Sequence, residues 1–369
     1  MKAELRAAAA RALREIVDDG APATRVVPRL LRGVTSNSER VALKDAVFGA
    51  AVLRLRLRFL YGADIDRWID DPRGSDDDGV DWPRDLFERL EVQHSCPRWL
   101  VHRLVHSLGE AGTEAFLTAS NRPGPVTLRA NTLRNSRAQL RERLHTEGVV
   151  VTDNVLSPDA VDVVGRANLT GLGAWRHGCF EVQDAGSQLI AQSCGVKAGD
   201  VVVDLCAGRG GKTLALAALM NDVGTLHIND VDAGALADLR GRLGRAGVTC
   251  VQAGLPVDGG ADVVLVDAPC SALGVLRRSP DLRFTLQEAD IDDVTVVQRS
   301  LLARAAQLVR PQGRVVYATC SVLREENEDV VNADAHGLSI ETSQTLLPHV
   351  HGCDGFFICS LRRPKPPRG

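Results

Sequence analysis

Apolar positions recur at helical spacing over the first 60 residues, with basic and polar residues between them. Leu5, Ala9, Leu13 and Ile16 share one face of a helix expected over residues 3–19, and Gly20 follows as a stop. A second helix is expected over roughly 38–60, with Val41, Leu43, Val47, Phe48, Ala51 and Leu55 facing a core. Arg54, Arg56 and Arg58 alternate there with leucines; three residues two apart cannot share a helical face, so Arg54 and Arg58 point together and Arg56 elsewhere. A solvated face with snorkelling stems and an RNA contact explain these arginines equally well. The acidic, proline- and glycine-bearing run DDPRGSDDDGVDW marks a loop or linker over 70–84. Helical patterning returns from 85, with Pro97 placed at a helix start. Residues 124–155 read as strand, Ser136-capped helix and strand, a small α/β module. The segment 181–195 reads as a helix, and beyond it short β-branched runs at 201–204, 224–229, 261–266 and 313–318 alternate with helices. This βαβ alternation over 180–369 predicts an α/β fold with a doubly wound, mostly parallel sheet, whose ligands gather at the carboxyl ends of the strands.

At 369 residues and 44% hydrophobic content the chain can bury several cores, and no uncharged apolar run reaches the length of a membrane span. Arg6, Arg11 and Arg14 interrupt the alanine-rich start, where a signal peptide needs an unbroken apolar centre, so a cytoplasmic location is expected. Nine cysteines with no C-x-x-C pair suggest reduced thiols, with neither a disulfide framework nor a metal site. The net charge is only −3, but residues 1–60 hold 12 Lys/Arg against 6 Asp/Glu, a weak pointer to a polyanion. No dimer heptad is visible, which favours a monomer.

The chemistry concentrates at strand ends. Residues 201–217, VVVDLCAGRGGKTLALA, run strand, glycine loop, helix; Gly208, Gly210 and Gly211 let backbone approach a nucleotide-like ligand. Neither the dinucleotide G-x-G-x-x-G nor a Walker loop fits the spacing. Asp230 ends the run 224–229, where a carboxylate commonly takes ribose hydroxyls, although a helix-capping aspartate would look the same. The next run ends in DAPCSALGVLRRSPD, with Asp267 and Cys270, and a further one in YATCSVLREENE, with Cys320. One such cysteine would be read as a small buried hydrophobe; two at one sheet edge suggest covalent chemistry.

DLCAGRGGKT, DAPCSALGVLRRSPD and YATCSVLREENE closely resemble the motifs of the Sun (Fmu) family of RNA cytosine-5 methyltransferases. QDAGSQL (183–189), NTLRNSR (131–137) and DGFFICSLRR (354–363) resemble it too, and residues 1–62 are more faintly similar to the NusB-like helical domain of its ribosomal RNA branch. The resemblance implies a shortened NusB-like RNA-binding domain at 1–69, a linker at 70–84, an intermediate helical and α/β RNA-binding module at 85–178 and a Rossmann-like S-adenosylmethionine-dependent methyltransferase domain at 179–369. It implies that Cys320 attacks carbon 6 of a cytosine, that Cys270 assists release and that Asp267 binds the base. Lys212 would lie between cofactor and base. Cys206, Ala207, Gly208, Arg209, Gly210, Gly211 and Lys212 would cradle S-adenosylmethionine, with Asp230 on its ribose and Asp267 near it. DNA cytosine-5 enzymes attack with the cysteine of Pro-Cys, the position of Cys270 here, and the RNA family with that of Thr-Cys, the position of Cys320. The implied substrate is RNA, most readily small-subunit ribosomal RNA, with a base flipped out or unpaired. A transfer RNA methyltransferase, or a non-catalytic RNA-binding or ribosome-assembly factor that keeps the fold, stay open as alternatives. The chain departs from the family at Gly254, where an acid near the adenine is usual and Asp258 is the nearest substitute; a lower cofactor affinity is the expectation.

Overall fold

The computed structural model describes residues 1–75, 79–333 and 336–365. The chain forms two compact units, residues 1–123 with 275–288, and residues 124–274 with 289–369. Part of the acidic run, residues 76–78, lies outside the described residues.

The first unit is helical. The helix Ala3–Val17 buries Ala9, Leu13 and Ile16 against Val26, Leu43, Val47, Leu57 and Trp68. Instead of one helix over 38–60 there are two, Asn37–Val52 and Arg54–Tyr61, because Leu53 leaves helical geometry at φ −100°, ψ 24°. The helix Ala23–Leu30 escapes the periodicity reading, since Pro28 sits inside its eight residues. The arginines of the second helix are largely spoken for within the unit. Arg54 lies 3.4 Å above the Phe284 ring, and Arg56 donates to the carbonyls of Gly74 at 2.9 Å and Gln93 at 3.3 Å. The helices Leu86–His94 and Arg98–Ser120, read from sequence with the α/β module, cluster here instead: Ser95 Oγ accepts the Leu55 amide at 2.8 Å, and Leu90 and Leu100 are buried. Residues 275–288, read as part of the large domain, also return to this unit. The fully buried Arg283 donates to the carbonyl of His94 at 2.9 Å and to Asn121 at 2.8 Å, and Asp281 accepts the Thr24 amide.

The second unit holds two sheets. Strands β1 (Thr127–Ala130), β2 (Val151–Asp153), β3 (Ala160–Val163) and β4 (Phe180–Val182) form an antiparallel sheet in the order β2-β3-β1-β4. A capping box at Ser136 and Gln139 starts the helix Arg137–Thr146, which packs Leu140 and Leu144 on that sheet. The strand β4 lies past residue 178, so the small sheet runs into what the sequence reading assigned to the large domain. Strands β5 (Val201–Asp204), β6 (Thr225–Ile228), β7 (Val251–Ala253), β8 (Ala261–Asp267), β9 (Val309–Thr319), β10 (Ser339–Leu346) and β11 (Phe356–Arg362) form the large sheet, ordered β10-β11-β9-β8-β5-β6-β7. The pairings from β9 through β7 are parallel, and β11 and β10 close the edge antiparallel. Period-two alternation distributes the side chains: Val202, Val263, Leu265 and Val316 enter one core with the helix Gly211–Leu219, while Val203, Val264, Val266 and Tyr317 enter the other with the helix Glu288–Leu308.

The two sheets meet tightly. Asn131 donates to the carbonyls of Gly178 at 2.8 Å and Ala246 at 2.9 Å, and Gly178 has φ +66° with space for no more than hydrogen: an added Cβ would stand 2.0 Å from the Arg245 carbonyl oxygen. The Gly178→Ala substitution is therefore expected to lower unfolding free energy by about 2 kcal/mol or more, measured by urea denaturation, since both the conformation and the backbone contact resist it.

Candidate active site

The carboxyl ends of β5, β6, β8 and β9 converge on one edge of the large sheet. Between β5 and the helix Gly211–Leu219, the loop 205–210 is held by backbone bonds from Ala207 N to Asn229 O at 2.9 Å and from Gly210 N to Ala207 O at 2.8 Å. Asp230, just past β6, braces it: its carboxylate accepts the amides of Gly208 at 2.7 Å and Asp232 at 2.8 Å. The loop is fastened on its other side by Arg242, which donates to the Arg209 carbonyl at 2.6 Å and to Glu181 of β4 at 2.8 Å. Glu181 is 2% exposed and also pairs with Arg245. The Arg209 side chain itself is 78% exposed and stands 3.7 Å from Asp238.

At the end of β8, Asp267 accepts from Lys212, which stands in the first turn of the helix Gly211–Leu219, at 2.6 Å. The Lys212 side chain is 12% exposed. Burial alone would pull its pKa down, but the Asp267 charge and hydrogen bond, with Cys320 and Asp204 nearby, raise it above the ordinary value and keep the ammonium charged. Cys270 and Cys320 bring their sulfurs to 3.3 Å. The hydrogen bond to Cys320, then burial, then the charges of Cys320 and Glu326 push the Cys270 thiol well above its ordinary pKa. Either thiol can donate in this contact. Two backbone bonds, Ala268 N to Ala318 O and Gly274 N to Cys320 O, each 2.8 Å, lock the two cysteine-bearing turns together. Burial also pushes Cys206 up, and Asp204, beneath the loop, rises to about 7. One Asp204 oxygen accepts from Thr213 at 2.7 Å; the other has no partner among the described residues.

Every site residue expected from sequence therefore lies on one edge, in one unit. Asp258 does not: it pairs with Arg304 at 2.7 Å, away from the role of a substitute acid. Gly254 has φ +93°, a conformation an acidic side chain would adopt only with strain. Sequence reasoning missed Asp204, Arg242, Gln298 and Glu326. Glu326 and its neighbour Asn327 stand inside a motif that had been singled out, but only Cys320 was assigned from it. Among the described residues no group of three or more His, Cys, Asp or Glu could hold a metal ion, and no helix is long and apolar enough to cross a membrane.

Residues 192–362 match the profile of the 16S rRNA methyltransferase RsmB/F, and residues 96–170 that of the RsmF/B-like ferredoxin-like domain. The chain is 32% identical over 308 residues to the probable ribosomal RNA small subunit methyltransferase B of Bacillus subtilis strain 168, across 76% of this chain and 69% of that protein. It belongs to the RsmB/F family. A second relative, the 28S rRNA (cytosine(4447)-C(5))-methyltransferase of Homo sapiens, is 30% identical over 327 residues, covering 75% of this chain and 39% of the human protein. The crystal structure of a methyltransferase homolog protein from Pyrococcus horikoshii superposes with a TM-score of 0.67 at 25% identity, over 76% of this chain and 99% of that one. This RsmB/F protein is an S-adenosylmethionine-dependent methyltransferase.

The loop residues fit that cofactor. A Cβ added at Gly208, φ +51°, meets no atom within 4 Å, so the loop presents an open backbone face, with a carboxylate at the neighbouring strand end and an ammonium at the helix start. Because Arg242 seats this loop, Arg242→Ala is expected to weaken binding of S-adenosylhomocysteine by about three- to tenfold in isothermal titration. Unchanged affinity would mean that the loop holds its shape without the tie.

The buried Asp204 makes a pH prediction. Its carboxyl is raised from 3.8 to about 7 in the fold, so the native state keeps a proton that the unfolded chain has released over that window. That contribution to stability is complete below pH 4 and is lost as the pH rises through about 7. Urea denaturation of Asp204→Asn should therefore gain on the wild type between pH 5 and pH 8.

Proposed function

We propose that this RsmB/F protein methylates carbon 5 of a cytosine in RNA, most directly in small-subunit ribosomal RNA, through a transient bond from Cys320 to carbon 6. The observation that carries the reading is the pair of sulfurs 3.3 Å apart beside the Lys212–Asp267 pair at the glycine-loop edge. The names of the relatives support the target: a small-subunit ribosomal RNA enzyme in the bacterial case, cytosine carbon 5 in the human one. Ribosome-assembly or RNA-binding factors have no use for two thiols in hydrogen-bond contact at a ligand edge.

The need for sulfur follows from the base. Carbon 5 of cytosine is a poor nucleophile until a group adds at carbon 6 and leaves an enamine-like ring. The Cys320 thiolate adds there, stabilised by the S–H of Cys270 and by the nearby ammonium of Lys212. As the bond forms, electron density moves into the ring; Asp267, one oxygen on Lys212, has its other oxygen for the exocyclic amino group and holds the base in register. Bound S-adenosylmethionine supplies a methyl group on an electron-poor sulfonium, held by residues 206–212 with Asp230 at its ribose. Release requires the carbon 5 proton to leave to solvent while the carbon–sulfur electron pair returns to Cys320. The Cys270 S–H receives the departing thiolate in the same hydrogen bond that steadied it on attack. The RNA-contacting role of the helical unit and of the small α/β module belongs to this proposal.

Two substitutions test the assignment. Cys320→Ala should lower tritiated methyl transfer to ribosomal RNA on the order of 1,000-fold or more. Cys270→Ala should instead leave a stalled protein–RNA adduct that survives a denaturing gel. Normal turnover by the Cys320 variant would remove the proposed nucleophile. Bisulfite sequencing of ribosomal RNA from a deletion strain reads the target: loss of one protected cytosine is expected, and an unchanged ribosomal pattern with a change in transfer RNA would move the activity to that substrate.

A further inference from the structure

Glu326 lies behind the two thiols, on the turn that follows β9, and is fully buried. Its carboxylate gathers donors from both cysteine-bearing turns. It accepts the amide of Ser271 at 2.8 Å and the Ser271 hydroxyl, the Ser321 hydroxyl at 2.5 Å, and the side-chain amide of Gln298 at 3.2 Å. Ser271 is the residue after Cys270, and Ser321 the residue after Cys320. The two serine oxygens are 3.1 Å apart, so one carboxylate closes a ring that spans the ends of β8 and β9. Gln298 extends it by donating to the Pro269 carbonyl at 2.9 Å, one residue before Cys270. Asn327 does the same for the other turn, accepting from Thr319 Oγ1 at 2.6 Å and donating to the Ser321 carbonyl at 3.1 Å. The Glu326 carbonyl in turn accepts from Tyr317 at 2.7 Å. Ala272, next after Ser271, is held at φ +58°, outside the usual range for a residue with a side chain.

A carboxylate buried among four donors, with no basic residue paired to it among the described residues, is costly unless its position matters, because a neutral side chain would pack there with less desolvation. We propose that Glu326 is the positioning residue of the thiol pair: it fixes Cys270 and Cys320 at one separation through Ser271 and Ser321, and its negative charge, close to Cys270, leaves Cys320 as the sulfur that attacks. The inference rests on the roles given above to the two cysteines. The groups that face Cys270 are Glu326, Cys320 and, from β9, Tyr317. The ammonium of Lys212 stands instead toward Cys320, with Asp267 beside it. The surroundings of the two sulfurs therefore differ: an acid stands behind Cys270, and a paired lysine and aspartate stand toward Cys320. The Glu326 charge therefore disfavours a thiolate at Cys270, the sulfur it stands behind.

The test reads sulfur chemistry in the full-length protein without RNA or cofactor, so it does not depend on turnover. Iodoacetamide alkylation of each cysteine is followed by peptide mass spectrometry between pH 6 and 10 in the wild type and in Glu326→Gln, with thermal unfolding measured in parallel. Cys320 is expected to react first in the wild type, and the Cys270 rate to rise about tenfold in Glu326→Gln as the nearby charge is removed. Dibromobimane, which bridges only thiols in close approach, is expected to join Cys270 to Cys320 in the wild type and about fivefold less in Ser321→Ala, which keeps the charge but cuts one tie. An unchanged Cys270 rate in a folded Glu326→Gln protein overturns the electrostatic half. If that variant does not fold, undiminished bridging in Ser321→Ala overturns the positional half. Neither outcome touches the assignment of Cys320 as nucleophile, which stands or falls on methyl transfer by its alanine variant.

Discussion

The parallel pairing of β8 with β9 is the constraint on which the active edge depends. Its register sets Asp267 opposite Ala318, and two further residues on one side and three on the other bring the sulfurs of Cys320 and Cys270 into contact. Parallel strands need a long crossover, here the helix Glu288–Leu308, so the two cysteines are 50 residues apart in sequence. Their meeting is bought by the apolar packing of both sheet faces: Val264, Val266, Val315 and Tyr317 on one side, Leu265, Val316 and Ala318 on the other. A slip of one residue would turn those side chains to the wrong faces and part the thiols, so core and chemistry enforce one register.

Charge at this edge is arranged in opposition across a short distance. Lys212 and Asp267 neutralise one another at 2.6 Å, the ammonium nearly enclosed and the carboxylate partly open to solvent. Glu326 has no such counter-ion among the described residues and is held by hydrogen-bond donors from the turns it joins. Asp204 takes the third solution available to a buried acid and leans toward its neutral form, with a carboxyl pushed up to about 7 by burial. The same strand ends thus hold three carboxyl groups in three electrostatic states, set by their partners and not by residue type.

The small antiparallel sheet is bound to the cofactor loop by a continuous chain of contacts. Glu181 on β4, Arg242 and the Arg209 carbonyl form one link, and Asn131 reaches the carbonyls of Gly178 and Ala246 to form another. Both lie within one compact unit, so the seat of the glycine loop depends on β4, whose Glu181 and Val182 the amino-acid pattern assigned to the start of a helix.

The alternation of short apolar runs with helical stretches determined the doubly wound sheet, because period-two and period-3.6 patterns are local properties of the chain. Likewise Asp230, Asp267, Cys270 and Cys320 were legible as strand-end residues, since each lies within four residues of the end of such a run, and the Ser136 cap needed only its own neighbours. The helix break at Leu53, the membership of 275–288 in the helical unit and the internal engagement of Arg54 and Arg56 were not legible, for they turn on partners distant in sequence such as Phe284, His94 and Gly74. The same holds for Glu326 and Arg242. A glutamate among acids and an arginine on a polar helix look like solvated surface until the fold carries Ser271, Ser321 and Glu181 to them, because hydrogen-bond partners are chosen by proximity in space and leave no periodic trace along the chain.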